Sequence, residues 1–193
     1  MSATAFFLTH PDVVIDPAVP LPRWPLSDRG RARMQAALKR DWTRGIRMIV
    51  ASTERKATDA AQILADGLRL PFATIPELGE NDRSATGYLP RAEFEHVADA
   101  FFAQPEQSVR GWERAIDAQR RIVGAFDAVL ALPRPAGDLA IVSHGGVGAL
   151  LVCAIEHRRI TRAEEQPPGE GGFYFAIDTG TRLLRHGWTA IDA

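Results

Sequence analysis

Cysteine is nearly absent from this 193-residue sequence, in which Cys153 is the only one. A single cysteine excludes a disulfide within the chain and is typical of a reducing compartment. No apolar run approaches the roughly 18 residues of a membrane-spanning helix. The first residues also lack the basic start and long apolar stretch of a signal peptide. These absences predict a cytoplasmic protein that does not bind membranes.

Excess charge is lacking as well, because 23 basic residues balance 24 acidic residues and the formal net charge is -1. Proteins that bind nucleic acids usually carry an excess of positive charge. The balance therefore predicts no nucleic-acid partner and favours a small ligand, and it leaves the oligomeric state undetermined. Hydrophobic residues make up 46% of the chain, which contains no repeat or linker. We expect one domain over residues 1–193.

Short apolar runs alternate with helical patterns along the chain. The predicted elements are strands at residues 5–9, 48–51, 72–75 and 139–142, helices at 28–39, 56–68, 92–103, 110–132 and 147–155, and a β-hairpin at 172–191. Interleaved strands and helices predict an α/β layered fold, with ligands bound outside the carboxyl ends of the strands. The polar residues 77–90 lack periodicity and are predicted to form a loop.

Two histidines follow buried strands. His10 comes at the end of the first strand, and His144 comes at the end of the strand 139–142, just before a glycine turn and an apolar helix. The start of that helix offers backbone N–H groups and a positive dipole end beside His144. Two histidines at such positions can converge on one crevice, where one attacks a phosphoryl group and the other stabilises its oxygens.

Five sequence segments in order resemble the histidine-phosphatase superfamily, also called phosphoglycerate-mutase-like. The resemblance implies a three-layer α/β/α fold with a mostly parallel central sheet. FLTHPDV and IVSHGGV resemble the two histidine motifs of the family, and PLSDRGRAR resembles its Pro-Leu-(Ser/Thr)-x-x-Gly segment. ASTERKATDAA has a basic residue, Lys56, four positions after Ser52, and ELGENDRSATGY resembles the loop that bears an acid, here Glu80.

The resemblance implies a role for each matched residue. His10 would attack phosphorus as a neutral imidazole and form a phosphohistidine, while its other ring nitrogen donates to a backbone carbonyl. Lys56, His144 and the N–H of Gly145 would hold the equatorial oxygens. Glu80 would protonate the leaving alcohol and then activate water. These roles need neither metal nor cofactor, and the substrate would be a small phosphorylated molecule or a phosphoprotein, with hydrolysis favoured over mutase chemistry.

The first motif departs from the family pattern, because the chain has Thr9-His10-Pro11 where the family has Arg-His-Gly. The second basic position, usually arginine, is Lys56. Both changes remove the fork geometry with which a guanidinium grips phosphate. They leave a second function open: a catalytically silent relative that binds a phosphorylated or other anionic ligand, or a protein partner.

A nearby guanidinium could replace the missing arginine. Arg83, in the same loop as Glu80, is the first candidate, and Arg55 and Arg23 are weaker ones. We expect substrate specificity to come from the loops at residues 12–25 and 77–105.

Other residues have simpler explanations. Asp12 could join Glu80 and the two histidines in a zinc or manganese site, but the close ligand spacings of such sites are absent. Cys153 and Trp112 are predicted to be core residues, although Trp112 could also line the pocket mouth. His157 is predicted to lie at a helix end, and His96 and His186 to have surface or packing roles. Glycines 169, 171 and 172 fit either a turn or a rim of the site.

Overall fold

The computed structural model describes residues 2–193. Its strands are β1 (Thr4–Thr9), β2 (Ile46–Ala51), β3 (Phe72–Thr74), β4 (Asp138–Ser143), β5 (Phe173–Asp178) and β6 (Leu184–Ala190). Its α-helices are α1 (Asp28–Ala37), α2 (Arg55–Leu68), α3 (Arg91–Ala103), α4 (Ala115–Ala131) and α5 (Gly145–Ile155). Short 3-10 turns lie in the connecting loops. Within residues 2–193, none of the helices combines the length and apolar character that crossing a membrane requires.

The six strands form one sheet in the order β3-β2-β4-β1-β5-β6. Strands β3, β2, β4 and β1 run parallel, and β5 and β6 are antiparallel additions at one side. The predicted mostly parallel α/β sheet is confirmed. Strands β5 and β6 are the hairpin that the alternation in residues 172–191 predicts.

Alternate residues of β1 face two separate cores. Phe7 packs with buried residues of α3, α4 and α5, while Phe6 and Leu8 pack with buried residues of α1 and α2. A strand that is buried on both faces must be apolar throughout, which explains why the β1 segment is a continuous apolar run rather than an alternating one. The sheet is therefore the middle layer of an α/β/α arrangement.

The predicted helix over residues 110–132 begins later than its periodicity suggests. Arg110 has a left-handed backbone with φ of 51° and lies in a separate 3-10 turn, and α4 starts only at Ala115. The helix predicted at 147–155 begins two residues earlier, at Gly145. This second shift matters for the site, because the first turn of α5 then lies directly after His144.

The glycine of the third matched segment allows a close packing contact. Gly30 lies in α1, where a Cβ atom would lie 2.2 Å from the carbonyl oxygen of Asp12. Ser27 caps the same helix by accepting a hydrogen bond from the N–H of Gly30 (3.1 Å). Together these contacts hold the loop after His10 against the start of α1.

Candidate functional site

His10 lies just beyond the end of β1, where its backbone N–H donates to the carbonyl of Ser143 on β4 (3.3 Å). Its side-chain Nδ1 lies 3.0 Å from the backbone carbonyl oxygen of Pro11. A carbonyl only accepts, so this contact places the imidazole proton on Nδ1 and leaves Nε2 with a free lone pair. This is the arrangement that the resemblance implies for a nucleophilic histidine.

The surroundings of His10 favour its neutral form. Burial and the nearby Lys56 ammonium lower the pKa of His10 from 6.5 to about 4, and the bond to Pro11 and the charge of Glu54 oppose that shift only in part. An imidazole with this pKa is unprotonated at neutral pH, as nucleophilic attack requires.

His144 lies beside His10, with ring centroids 5.3 Å apart and planes inclined at 66°. It is completely buried. Its Nε2 lies 2.9 Å from the Ser52 hydroxyl and 3.4 Å from a carboxylate oxygen of Glu54. Burial lowers the pKa of His144 well below its ordinary value. Within residues 2–193 its Nδ1 has no hydrogen-bond partner, and such unsatisfied buried nitrogens are uncommon outside functional sites.

Glu54 is a residue of the site that sequence reasoning missed. Its carboxylate contacts Lys56 Nζ at 2.5 Å and accepts the backbone N–H of Glu80 at 2.9 Å, in addition to its contact with His144. Burial opposes ionisation, but the His144 ring, the Lys56 charge and these hydrogen bonds lower the pKa of Glu54 to about 2. The site therefore contains a buried, ionised carboxylate. Glu54 lies inside one of the matched segments, two residues before Lys56.

Lys56 is brought into the site as predicted, but its donors are already partly used. Its ammonium donates to the carbonyl of Leu21 (2.9 Å) as well as to Glu54. The side chain is only 5% exposed. An ammonium has three N–H donors, so one remains for a ligand.

Glu80 lies at the N-terminus of α5. Its two carboxylate oxygens accept the N–H groups of Gly146 (3.1 Å) and Val147 (3.0 Å). These contacts satisfy two of the N–H groups that the first turn of a helix leaves without partners. Of the first three N–H groups of the helix, the one that Glu80 does not accept belongs to Gly145, the group predicted to hold a phosphate oxygen.

Thr9 occupies the position at which the family has an arginine. Within residues 2–193, no guanidinium forms a hydrogen bond with Thr9. Its hydroxyl donates to the side-chain carbonyl of Gln166 (2.6 Å) and accepts the N–H of Phe173 (3.0 Å). Thr9 is buried. A neutral amide therefore contacts the position at which the family has a positive charge, and Gln166 is a second cavity residue that sequence reasoning missed.

Arg83, the first candidate for compensation, lines the same cavity as His10. Its guanidinium lies over the rings of Phe94 and Trp112, 5.3 and 5.6 Å from their centroids. The Arg83 guanidinium forms no ion pair with a carboxylate within residues 2–193. The weaker candidates lie elsewhere: Arg55 pairs with Asp59 and is 60% exposed, and Arg23 is exposed in a 3-10 turn.

Two adjoining cavities meet at the site. The histidine cavity, about 460 Å³, contains His10, Lys56 and Arg83, and the proline-loop cavity, about 610 Å³, lies between residues 17–22 and the loop that starts at Glu80. Residues from both loops predicted to set specificity line these cavities, among them Val13, Ile15, Trp24, Tyr88 and Leu89. Residues 166–171 form a further wall.

Gly171 belongs to that further wall and must be glycine for two reasons. Its φ is 73°, in the left-handed region, and a Cβ there would lie 2.3 Å from the carbonyl oxygen of His10. The neighbouring N–H of Gly172 donates to the same oxygen (3.1 Å). Gly171 and Gly172 therefore pack against the backbone of His10, and the rim interpretation is the better of the two.

The loop that carries Glu80 is held by Arg121 of α4. The guanidinium donates to the carbonyls of Gly79 (2.9 Å) and Glu80 (3.2 Å) and pairs with Glu113 (2.8 Å). Trp112 is buried, as predicted, and its indole N–H donates to Thr86 in the same loop (2.8 Å). Helix α4 and the turn before it thus position the loop that carries Glu80, residues 77–90, which is called the acidic loop below.

The metal-site alternative for Asp12 does not agree with the structure. The Asp12 carboxylate pairs with Arg29 (3.1 Å) and Arg33 (3.0 Å). No cluster of three or more metal-ligating side chains occurs within residues 2–193.

The remaining candidates lie outside the site. Cys153 is buried in α5, where burial raises the pKa of its thiol. His157 follows that helix with a left-handed φ of 54°, and His96 and His186 are exposed.

The titration of His10 tests the environment described above. We expect its Cε1 proton resonance to titrate with a midpoint near pH 4 rather than 6.5, measured by NMR and assigned with His10→Ala. Between these two pH values the unfolded chain binds a proton at this position that the folded chain does not. The free energy of unfolding therefore falls as the pH decreases through that window. A midpoint close to 6.5 would contradict the buried, neutral imidazole.

The comparisons with known proteins agree with this architecture. A model of the histidine phosphatase superfamily (branch 1) matches residues 21–171. No curated protein matches the sequence. Among solved structures, a mycobacterial glucosyl-3-phosphoglycerate phosphatase with inorganic phosphate is 19% identical with a TM-score of 0.79, covering 100% of both chains. Bacillus stearothermophilus YhfR is 21% identical with a TM-score of 0.78, covering 96% of this chain and 95% of its own. The chain therefore belongs to the histidine phosphatase superfamily, branch 1.

Proposed function

We propose that this protein is a metal-independent phosphatase that hydrolyses a phosphate monoester through a phosphohistidine on His10. One observation carries the proposal. His10 lies at the carboxyl end of a central strand with Nδ1 bonded to a backbone carbonyl, so that Nε2 is the free nitrogen. The lowered pKa of the ring, about 4, keeps that nitrogen unprotonated at neutral pH.

Nε2 of His10 would form a bond to phosphorus while the bond from phosphorus to the ester oxygen breaks. Glu80, which lines both cavities, would give a proton to the leaving alcohol and then accept one from the water that releases phosphate. Four other groups support the phosphoryl oxygens in this proposal: Lys56, the N–H of Gly145, the His144 ring and Arg83.

The histidine cavity, at about 460 Å³, has a volume typical of small-molecule sites. Its wall combines aromatic and aliphatic side chains with many charged groups of both signs, a composition that suits a polar organic leaving group attached to a phosphate. A small phosphorylated molecule is therefore the favoured substrate. A phosphoprotein could present a phosphorylated side chain to the same cavity.

A second function is favoured by a specific observation, the replacement of the motif arginine by the Thr9–Gln166 pair. Phosphoryl transfer depends on positive charge around the transferred group. With one guanidinium missing and Lys56 shared with Glu54, the chain could bind a phosphorylated ligand or a protein partner without turning it over. This silent-binder hypothesis and the phosphatase hypothesis predict different chemistry at His10.

Trapping of the intermediate separates the two functions. The protein is mixed with a generic aryl phosphate, quenched under basic conditions that preserve phosphohistidine, and analysed by peptide mass spectrometry. The phosphatase hypothesis predicts release of the aryl alcohol and a phosphoryl group on the peptide that contains His10. Binding of phosphate or vanadate, measured by calorimetry, without release or modification would favour the silent binder.

A further inference from the structure

A carboxylate lies where a phosphate site usually has only donors. Glu54 contacts Lys56 Nζ at 2.5 Å and His144 Nε2 at 3.4 Å, two side chains that a bound phosphoryl group would be expected to use. The Glu54 side chain is 12% exposed and lines the proline-loop cavity. Its negative charge is therefore poorly screened by solvent and close to the reacting group.

Glu54 offsets part of the positive charge that acts on the nucleophile. Lys56 and Arg83 are positive, and Glu54 is negative. The charges of Lys56 and Glu54 both act on His10. Burial has the largest effect on the pKa of His10 and lowers it, the Lys56 charge lowers it further, and the Glu54 charge raises it. A phosphoryl group attached to or approaching His10 Nε2 would experience the same two charges. Each negative charge that the group carries is then repelled by Glu54.

We propose that Glu54 is a specificity-determining residue that disfavours the second negative charge of a phosphoryl group. The site then favours substrates whose phosphoryl group carries one negative charge, either a phosphodiester or a monoester in its singly protonated form. The inference rests on the proposed function, because it concerns the same nucleophile and the same pocket. It adds the number of negative charges that the substrate's phosphoryl group carries, and it attributes that preference to Glu54.

The chemistry is balanced for both kinds of substrate. His10 Nε2 bonds to phosphorus as the phosphorus–oxygen bond to the leaving alcohol breaks, and that alcohol takes a proton from Glu80. Water then attacks phosphorus and gives a proton back to Glu80, and the phosphorus–nitrogen bond breaks. A monoester yields inorganic phosphate by this route, whereas a diester retains its second alcohol and yields a phosphate monoester.

Binding to a chain that cannot react provides the first test. In a His10→Ala background, affinities for phenyl phosphate and methyl phenyl phosphate are compared by calorimetry at pH 8. At this pH the monoester carries two charges, because its second pKa is about 6. We expect the singly charged diester to bind more tightly. Glu54→Gln in the same background is expected to shift the affinity ratio towards the monoester by about tenfold or more.

Turnover provides the second test, with p-nitrophenyl phosphate and methyl p-nitrophenyl phosphate as substrates of the otherwise unchanged protein. Glu54→Gln is expected to raise the monoester-to-diester ratio of kcat/KM by about tenfold or more. Glu106→Gln is the matched control, because Glu106 is an exposed glutamate that lines neither cavity. This control should leave the ratio unchanged.

Glu54→Asp guards against a folding defect, since it retains the charge and should retain the preference of the parent chain. An unchanged ratio in Glu54→Gln, or tighter binding of the dianion to the parent, would overturn the inference whether or not the protein turns over substrate. Absence of phosphohistidine together with the expected binding shift would remove the proposed catalysis and leave the charge discrimination standing. Binding of neither anion would overturn both.

Discussion

Replacement of His10 by alanine is expected to lower kcat for an aryl phosphate by about 10⁴-fold or more, the scale on which loss of a covalent nucleophile acts in well-studied hydrolases. The reason is local. His10 Nε2 is the nitrogen left free by the contact between Nδ1 and Pro11, and the alanine variant has no other group at this position to form the intermediate. Steady-state release of p-nitrophenol measures the effect.

The control for that experiment is His96→Ala, because His96 is an exposed histidine on α3. We expect this variant to retain the activity of the parent. Retention of turnover by His10→Ala would exclude the phosphohistidine mechanism, and an equal loss in both variants would indicate a general defect. Vanadate binding by His10→Ala shows whether the pocket itself survives the substitution.

The order of apolar runs and the two histidine motifs allowed the fold and the convergence of His10 with His144 to be predicted. Both predictions depend on periodicity and on the rule that carboxyl ends of parallel strands meet at one edge of a sheet. The resemblance to the histidine phosphatases also predicts Lys56 and Glu80 as site residues. Lys56 lines the histidine cavity, and Glu80 lines both cavities. The contact of His10 Nδ1 with a backbone carbonyl was likewise predicted and is present.

The direction of the Glu54 side chain could not be predicted in the same way. Glu54 is the residue before α2, and its backbone is extended, with φ of -69° and ψ of 140°. Such a residue can point its side chain to solvent or towards the sheet, depending on where the helix begins.

The contact of Thr9 with Gln166 could not be predicted either, because it joins residues 157 positions apart. A pairing at that separation depends on the folded loops, and local sequence patterns do not encode it.

The start of α4 shows a different limit. The apolar spacing from Trp112 onwards continues smoothly into the helix, so periodicity predicts one element from residue 110. The backbone breaks this pattern, since Arg110 and Gly111 both have positive φ. The break directs the Trp112 indole to Thr86 in the acidic loop. A helical residue at that position would extend α4 and would not close the turn over the loop.

Loss of the Arg83 guanidinium is expected to have the second-largest effect. Burial is the main cause of the lowered pKa of His10 and of His144, and the charges of Lys56 and then Arg83 add smaller effects. Arg83 forms no ion pair within residues 2–193 and lines the same cavity as His10, so its guanidinium is available to a phosphoryl group that the Thr9 position no longer contacts. By analogy with the loss of one oxyanion-hole donor, Arg83→Met should lower kcat by about 10²-fold.

Methionine is the preferred substitution because it keeps an unbranched stem against Phe94 and Trp112, where the guanidinium now lies. Arg91→Met is the matched control: Arg91 lines the same cavity at the start of α3. We expect Arg83→Met to weaken competitive inhibition by vanadate together with turnover, and Arg91→Met to change both by much less. Unchanged inhibition and turnover in Arg83→Met would show that the charge missing at Thr9 is not replaced from the acidic loop.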